Sequence, residues 1–258
     1  MNRKTIISSI VGVFILSFIA IQPVVAQLNF SSLKSLVGGS KIDNASGLKD
    51  ALSVGITNAV SSLNRENGYF GNEAVKILLP KEAAPIVDNI KMVPGGENML
   101  SDVILRLNRA AEDAAGDAMP IFIDALKRMT FTDATGILFG SDPFGATNYM
   151  RKNTHDQLVI AFQPKIEASL DKKLVGNVST NESWKILAAA YNSVAHSFVG
   201  KMANLHPVNA NLGAYTTEQA LVGLYYMMGN EEKKIRESPE ARVNPTLQKV
   251  FGQLDTRR

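Results

Sequence analysis

The spacing of apolar positions predicts helices along most of the chain and gives almost no signal for strands. In "GLKDALSVGITNAVSSL", from Gly47 to Leu63, Leu48, Leu52, Ile56, Ala59, Val60 and Leu63 recur at steps of three and four, the period of an amphipathic helix. The turn formers of "NRENGY", Asn64 to Tyr69, end it. Further on, Pro80, Pro85 and Pro94 punctuate short helical or extended pieces, and Pro85 suits the first turn of a helix, where its missing N–H costs little. The clearest stripe follows: Leu100, Val103, Ile104, Leu107, Ala111 and Ala114 fall on one side of a 3.6-residue wheel and should face a core. Arg109 then points away from Leu100, with Asp102 and Asp113 beside it and Glu112 on the flank. Gly116 is expected to end this helix and Asp117 to cap the next, which holds Pro120 in its first turn and buries Ile121, Phe122, Ala125, Leu126 and Met129.

Thr130 followed by Asp133 resembles a capping box before "ATGILFG", with an acid one methylene shorter than the usual Glu. A long helix is expected over "ATNYMRKNTHDQLVIAFQPKIEASLDKKL", with Tyr149, Leu158, Phe162, Ile166 and Leu170 at helical steps and a kink at Pro164. "ESWKILAAAYNSVAHSFVGKM" supplies another helix, in which Trp184 and Tyr191 are core candidates. Thr216 with Gln219 reads as a capping box for a helix carrying Tyr225, Tyr226, Met227 and Met228 and closing on "EEKKIRE", a solvated, salt-laced end. Ser238-Pro239 is expected to open a last helix that Pro245 interrupts. The expected fold class is all-α, a single-domain bundle of about eight to ten helices. No internal repeat or low-complexity tract is present.

The first residues read differently. Arg3 and Lys4 precede an apolar run from Ile6 to Ile21, and Val24-Val25-Ala26 ends in a small residue before Gln27, the pattern of a cleaved signal peptide. The alternative is an uncleaved anchor, but the run of 16 residues is short of the roughly 20 that a bilayer-spanning helix needs. The expected organisation is therefore a signal peptide over residues 1–26, cleaved between Ala26 and Gln27, a flexible lead-in over 27–46 and one helical domain over 47–254. The mature chain is therefore expected to be exported to the periplasm. No cysteine follows the run, so a lipid-anchored product is not expected, and no transmembrane helix is expected in the mature chain.

Charge and cysteine content narrow the chemistry. Arg3 and Lys4 lie in a leader without acids, so 25 basic and 24 acidic residues remain and the mature balance is +1. A pI near 9.0 is then no sign of nucleic-acid binding, which needs a net basic face. With zero cysteines there is no disulfide and no thiol nucleophile. His155, His196 and His206 are not at metal-ligand spacing, so no metal is expected. No Walker loop, dinucleotide fingerprint or nucleophile elbow occurs, and no cofactor is implied.

The blocks "GLKDALSVGITNAV", "LNRAAEDAAGDAMPIFIDALKRMTFTDA", "ATNYMRKNT" and "YTTEQALVGLYYMMGNEEKKIRESPEAR", with the closing "LQKVFG", resemble the bacterial domain of unknown function 4197 family, from about Gly47 to Gly252. The resemblance implies an all-helical exported protein of Gram-negative bacteria. It brings no activity, cofactor or catalytic residue with it.

The candidate site is the charged set in and after Leu107–Phe131: Asn108, Arg109, Glu112, Asp124, Arg128, Tyr149 and Arg151. In one reading these are solvated faces, with Asp124–Arg128 an exposed pair contributing about 0.3–0.5 kcal/mol. In the other, the polar faces converge on the Tyr149-Met150-Arg151 helix, where Arg109 and Arg151 fork onto an anionic group oriented by Glu112 and Asp124. The favoured function is a non-enzymatic envelope module that binds a partner protein or a small amphiphilic or anionic ligand. The alternative is an enzyme with Glu112, Asp124 or Asp133 as general base beside Arg109 or Arg151, with the base's pKa raised by burial.

Overall fold

The computed structural model describes residues 44–255. The signal-peptide expectation and residues 27–43 of the lead-in lie outside the described residues. In chain order the α-helices are α1 (Asn44–Leu63), α2 (Ala84–Asp88), α3 (Gly96–Ala115), α4 (Met119–Arg128), α5 (Phe131–Phe139), α6 (Gly145–Asp171), α7 (Thr180–His196), α8 (Phe198–Met202), α9 (Leu212–Glu237) and α10 (Pro245–Asp255). Short 3-10 turns join several of them. Among the described residues there is no strand, only an isolated bridge between Val175 and Val178, and no helix is long and apolar enough to cross a membrane. The fold is all-helical.

α9 is the hub. It lies against α6 on one side and α1 on another, while α3 packs on α6 and α7, and α4, α5 and α10 close on α1. The stripes expected from the sequence face inward: Leu48, Leu52, Ile56 and Leu63 of α1, Val103 and Leu107 of α3, and Leu158, Phe162, Ile166 and Leu170 of α6 are all buried. Tyr191, Tyr225 and Met228 are core residues as well, with Phe122 edge-on to the Tyr225 ring at 5.8 Å.

Several helix ends differ from their sequence signals, each for a local reason. The Thr130–Asp133 capping box is formed. Asp117 does not cap α4, because the chain passes from α3 through a 3-10 turn with helical backbone throughout and leaves no extended cap position. Its carboxylate instead faces Lys165. α9 begins at Leu212, capped by the Asn211 side chain, so Thr216 sits inside the helix and returns its hydroxyl to the Leu212 carbonyl, replacing the expected Thr216–Gln219 box. Pro245 starts α10 rather than interrupting it, with the Asn244 side chain accepting from the Leu247 N–H. The helical run "ESWKILAAAYNSVAHSFVGKM" is broken at Ser197, and a second capping box, Ser179 with Glu182, opens α7.

Candidate functional site

α3 carries polar residues on sides that the apolar stripe leaves free, yet Arg106, Asn108 and Glu112 are only 7%, 0% and 4% exposed. The reason is that irregular chain, not water, covers those sides. A segment without a regular ladder brings N–H and C=O groups that need partners once buried. α3 supplies them. The Asn108 amide accepts from the Ile77 N–H at 2.8 Å and donates to the Ile77 carbonyl at 2.7 Å. The Arg106 guanidinium donates to the carbonyls of Val175 and Val178, steadied by Asp102 at 2.7 Å. Glu112 Oε1 accepts from the Tyr69 and Phe70 N–H groups, both at 3.0 Å, and its Oε2 takes Arg109 at 2.5 Å.

Arg109 completes this arrangement from the outside. Beyond Glu112 it reaches Glu66 at 3.2 Å and Asn67 Oδ1 at 3.0 Å, and its guanidinium lies over the Phe70 ring. The turn it holds is anchored on its far side too: Tyr69 donates its hydroxyl to the Ala220 carbonyl at 2.8 Å. Gly223 of α9 permits the approach, since a Cβ there would lie 2.7 Å from the Tyr69 ring.

These clips frame an open cleft of about 610 Å³, lined by Asn64, Arg65 and Glu66, by Leu105, Arg109, Glu112 and Asp113 of α3, and by Leu174, Val175 and Gly176. Its carboxylates are each engaged. Asp113 holds Lys172 and accepts from the Ser169 hydroxyl at 2.6 Å, Glu112 and Glu66 share Arg109, and the Arg65 side chain donates to the Ser62 carbonyl while staying exposed. A second void, between Leu48, Leu52, Ile56, Met228 and Phe251, offers only about 10 Å³. That is room for about one water and none for an acyl chain.

The remaining expected site residues lie elsewhere. Asp124 and Arg128 form an exposed i,i+4 ion pair, with Arg128 also donating to Gln157. Tyr149 donates to Asp133 at 3.0 Å. Arg151 lies over the Tyr225 ring at 4.9 Å and shares no partner with Arg109. The structure therefore brings Arg109 and Glu112 together but not Arg109 and Arg151, and the convergent anion fork does not form. Nor is the Arg109–Glu112 pair solvated, with side chains 16% and 5% exposed. Among the described residues no group of three or more His, Asp or Glu side chains is placed to hold a metal.

Asp133, one of the candidate bases, is tuned in the opposite direction from that role. The Thr130 hydroxyl, then the Thr130 N–H and then the Tyr149 hydroxyl hold its carboxyl below the usual aspartate value of 3.8. A depressed folded-state pKa stabilises above the unfolded value and is lost as pH falls through the folded one. The melting-temperature gap between the wild type and Asp133→Asn is thus expected to be full at pH 7 and to shrink below about pH 4. Calorimetry across that range checks it, and a gap that stays constant into acid would count against the assignment. Asp142 and Glu182 titrate in the same acidic region, lowered first by the Phe144 and Ser179 backbone N–H groups respectively. They do so in both proteins and cancel.

A protein-family model described as protein of unknown function (DUF4197) matches residues 39–252. The chain belongs to the DUF4197 family. No curated protein and no solved structure matches it. In this DUF4197 protein the matched span takes in every helix from α1 to α9 and most of α10, so both the cleft and the clips that build it lie inside the family region.

Proposed function

We propose that this DUF4197 protein is a non-enzymatic interaction module of the bacterial envelope, exported by removal of residues 1–26, and that its cleft receives a segment of a partner protein. One observation carries the reading: the cleft is large and open while the ionic groups in its floor are already engaged with backbone or with one another. A general base needs a free lone pair facing substrate. Both Glu112 oxygens are occupied, Asp124 is an exposed surface carboxylate and Asp133 is committed to a helix cap. What the cleft does offer is apolar contact from Leu105, Leu174 and Val175 beside exposed Arg65, a mixed lining suited to the side chains of another protein. An amphiphile would need an enclosed apolar space, and the void between Leu48, Leu52, Ile56, Met228 and Phe251 is too small for a chain.

Photo-crosslinking in cells tests this. A crosslinkable residue at Leu174 is expected to give a discrete adduct that Arg65→Glu weakens, and one at exposed Ile160 is expected to give none. The absence of a Leu174 adduct from a folded, exported protein would remove the basis for a partner in this cleft. Native mass spectrometry of the purified protein separates the small-ligand case: a bound anion lost in Arg109→Ala would replace the partner with a small molecule.

A further inference from the structure

α8 is a short helix that presents apolar side chains outward. Its buried residue is Gly200, where a Cβ would lie 2.1 Å from the Val194 carbonyl oxygen and 2.7 Å from that of Ala195. The helix therefore meets the end of α7 with bare backbone. Its ends are fixed: the Ser197 hydroxyl accepts from the Gly200 N–H and donates to the Val194 carbonyl, and Asn204, at φ 53°, lets the Leu205 N–H return to the Gly200 carbonyl at 2.9 Å. With glycine on the inner face, everything large points out. Phe198, Val199 and Met202 are 78%, 60% and 75% exposed. Positions i, i+1 and i+4 with an i+3 step between the last two form one triangular patch.

The charge next to this patch along the chain has a single sign. Between Glu182 and Glu218 the chain contains no acidic residue, only Lys185, Lys201, His196 and His206. His196, Lys201 and His206 are exposed and flank the patch in sequence. Glu182, at the far end of α7, is about 24 Å away along the helix at 1.5 Å per residue. An apolar triangle with the adjoining Lys201 complements the headgroup boundary of an anionic bilayer, where apolar side chains enter the interface and lysines face phosphates. A second copy of the chain fits less well. Three such side chains expose on the order of 400 Å², about half of what each partner brings to a stable protein interface, and two copies would bring Lys201 towards Lys201.

We propose that the α8 tip docks the protein on a lipid surface bearing anionic headgroups. The test is sedimentation of the purified protein with phosphatidylethanolamine vesicles with and without phosphatidylglycerol, at neutral pH and low salt. The wild type is expected to bind the phosphatidylglycerol vesicles, and the triple variant Phe198→Ser, Val199→Ser, Met202→Ser to bind at least about tenfold more weakly. Lys201→Glu is expected to lose roughly thirtyfold on the anionic vesicles alone, from about 1 kcal/mol per unit charge over two units. All four positions are exposed, so melting curves should coincide with the wild type, and Lys201→Glu retains a readout if the triple variant fails to fold. Equal binding by the triple variant overturns the proposal. So does a wild type that ignores anionic vesicles, or one that dimerises through the same three residues.

Discussion

Replacing Glu232 by alanine is expected to destabilise the protein by about 3–5 kcal/mol, the penalty for leaving the other half of a buried ion pair without its partner. Glu232 and Arg236 are 6% and 5% exposed and lie 2.9 Å apart on neighbouring turns of α9. The pair also serves two other helices. Glu232 accepts from the Ala146 and Thr147 N–H groups and the Thr147 hydroxyl, all within 2.9 Å, at the start of α6. Arg236 donates to the carbonyls of Ile137 and Leu138 at the end of α5. A carboxylate thus meets the unsatisfied N–H groups of one helix and a guanidinium the unsatisfied carbonyls of another, the arrangement that helix dipoles favour. Many buried ion pairs can be replaced by apolar residues at little cost. This one should not be, because Glu232→Leu with Arg236→Met would still orphan the backbone groups at both helix ends. Thermal unfolding followed by circular dichroism is expected to show a fall of roughly 10 °C for Glu232→Ala. A fall of only a degree or two, or full recovery in the apolar double variant, would show that the helix ends find other partners.

The same pair shows where the sequence was and was not readable. "EEKKIRE" reads as a solvated helix end because charge usually means water. Here Glu232 and Arg236 are buried beside exposed Lys233 and Lys234, so the reading holds for the lysines and fails for the pair. A signal was present: Leu221, Leu224, Tyr225 and Met228 set an inward stripe, and stepping on by four and eight from Met228 lands on Glu232 and Arg236. A charge that continues an apolar stripe is a candidate for a buried cap. The apolar faces of α1, α3 and α6 were legible for the complementary reason, since burial of an apolar stripe needs no knowledge of what lies opposite.

The candidate site was only half legible, and α3 explains why. Arg109 and Glu112 stand three apart and their mutual pairing is a local helix property. That Glu112 also holds the turn at Tyr69 depends on contacts 42 and 43 residues apart in the chain. Turns such as Asn64–Phe70 and the segment around Val175 have no period, so nothing in their spacing says which helix they cover. Arg106 escaped notice for the same reason. Its two carbonyl partners lie 69 and 72 residues away, in a segment with no repeating pattern. The alternative in which Arg109 and Arg151 fork onto one anionic group meets a different obstacle. Each buried charge among the described residues, Arg106, Glu112, Glu232, Arg236 and Arg242, is already held by an opposite charge and spends most of its other bonds on backbone.

Glu112→Ala gives the largest expected effect at the cleft itself. The substitution would leave the Tyr69 and Phe70 N–H groups without an acceptor, at about 1–3 kcal/mol for each buried donor. Arg109 would keep Glu66 and Asn67, so the cost should fall on the turn more than on α3. A total loss of about 3 kcal/mol is expected in denaturant unfolding, with the turn opening first. Glu112→Gln separates the two functions of the side chain. Its carbonyl oxygen can still accept from both N–H groups while the ionic contact with Arg109 is lost, and a cost of only about 1–2 kcal/mol is expected. Hydrogen exchange read at the Tyr69 and Phe70 amides is the decisive measurement: protection should collapse in the alanine variant and largely persist in the glutamine variant. Unchanged protection in both would mean that the Tyr69 hydroxyl and its seat against Gly223 hold the turn without Glu112. If protection collapses and the Leu174 crosslink disappears with it, the buried carboxylate shapes the surface a partner meets without touching that partner. A crosslink that survives an open turn would place the binding determinants on Leu174, Val175 and α3 instead.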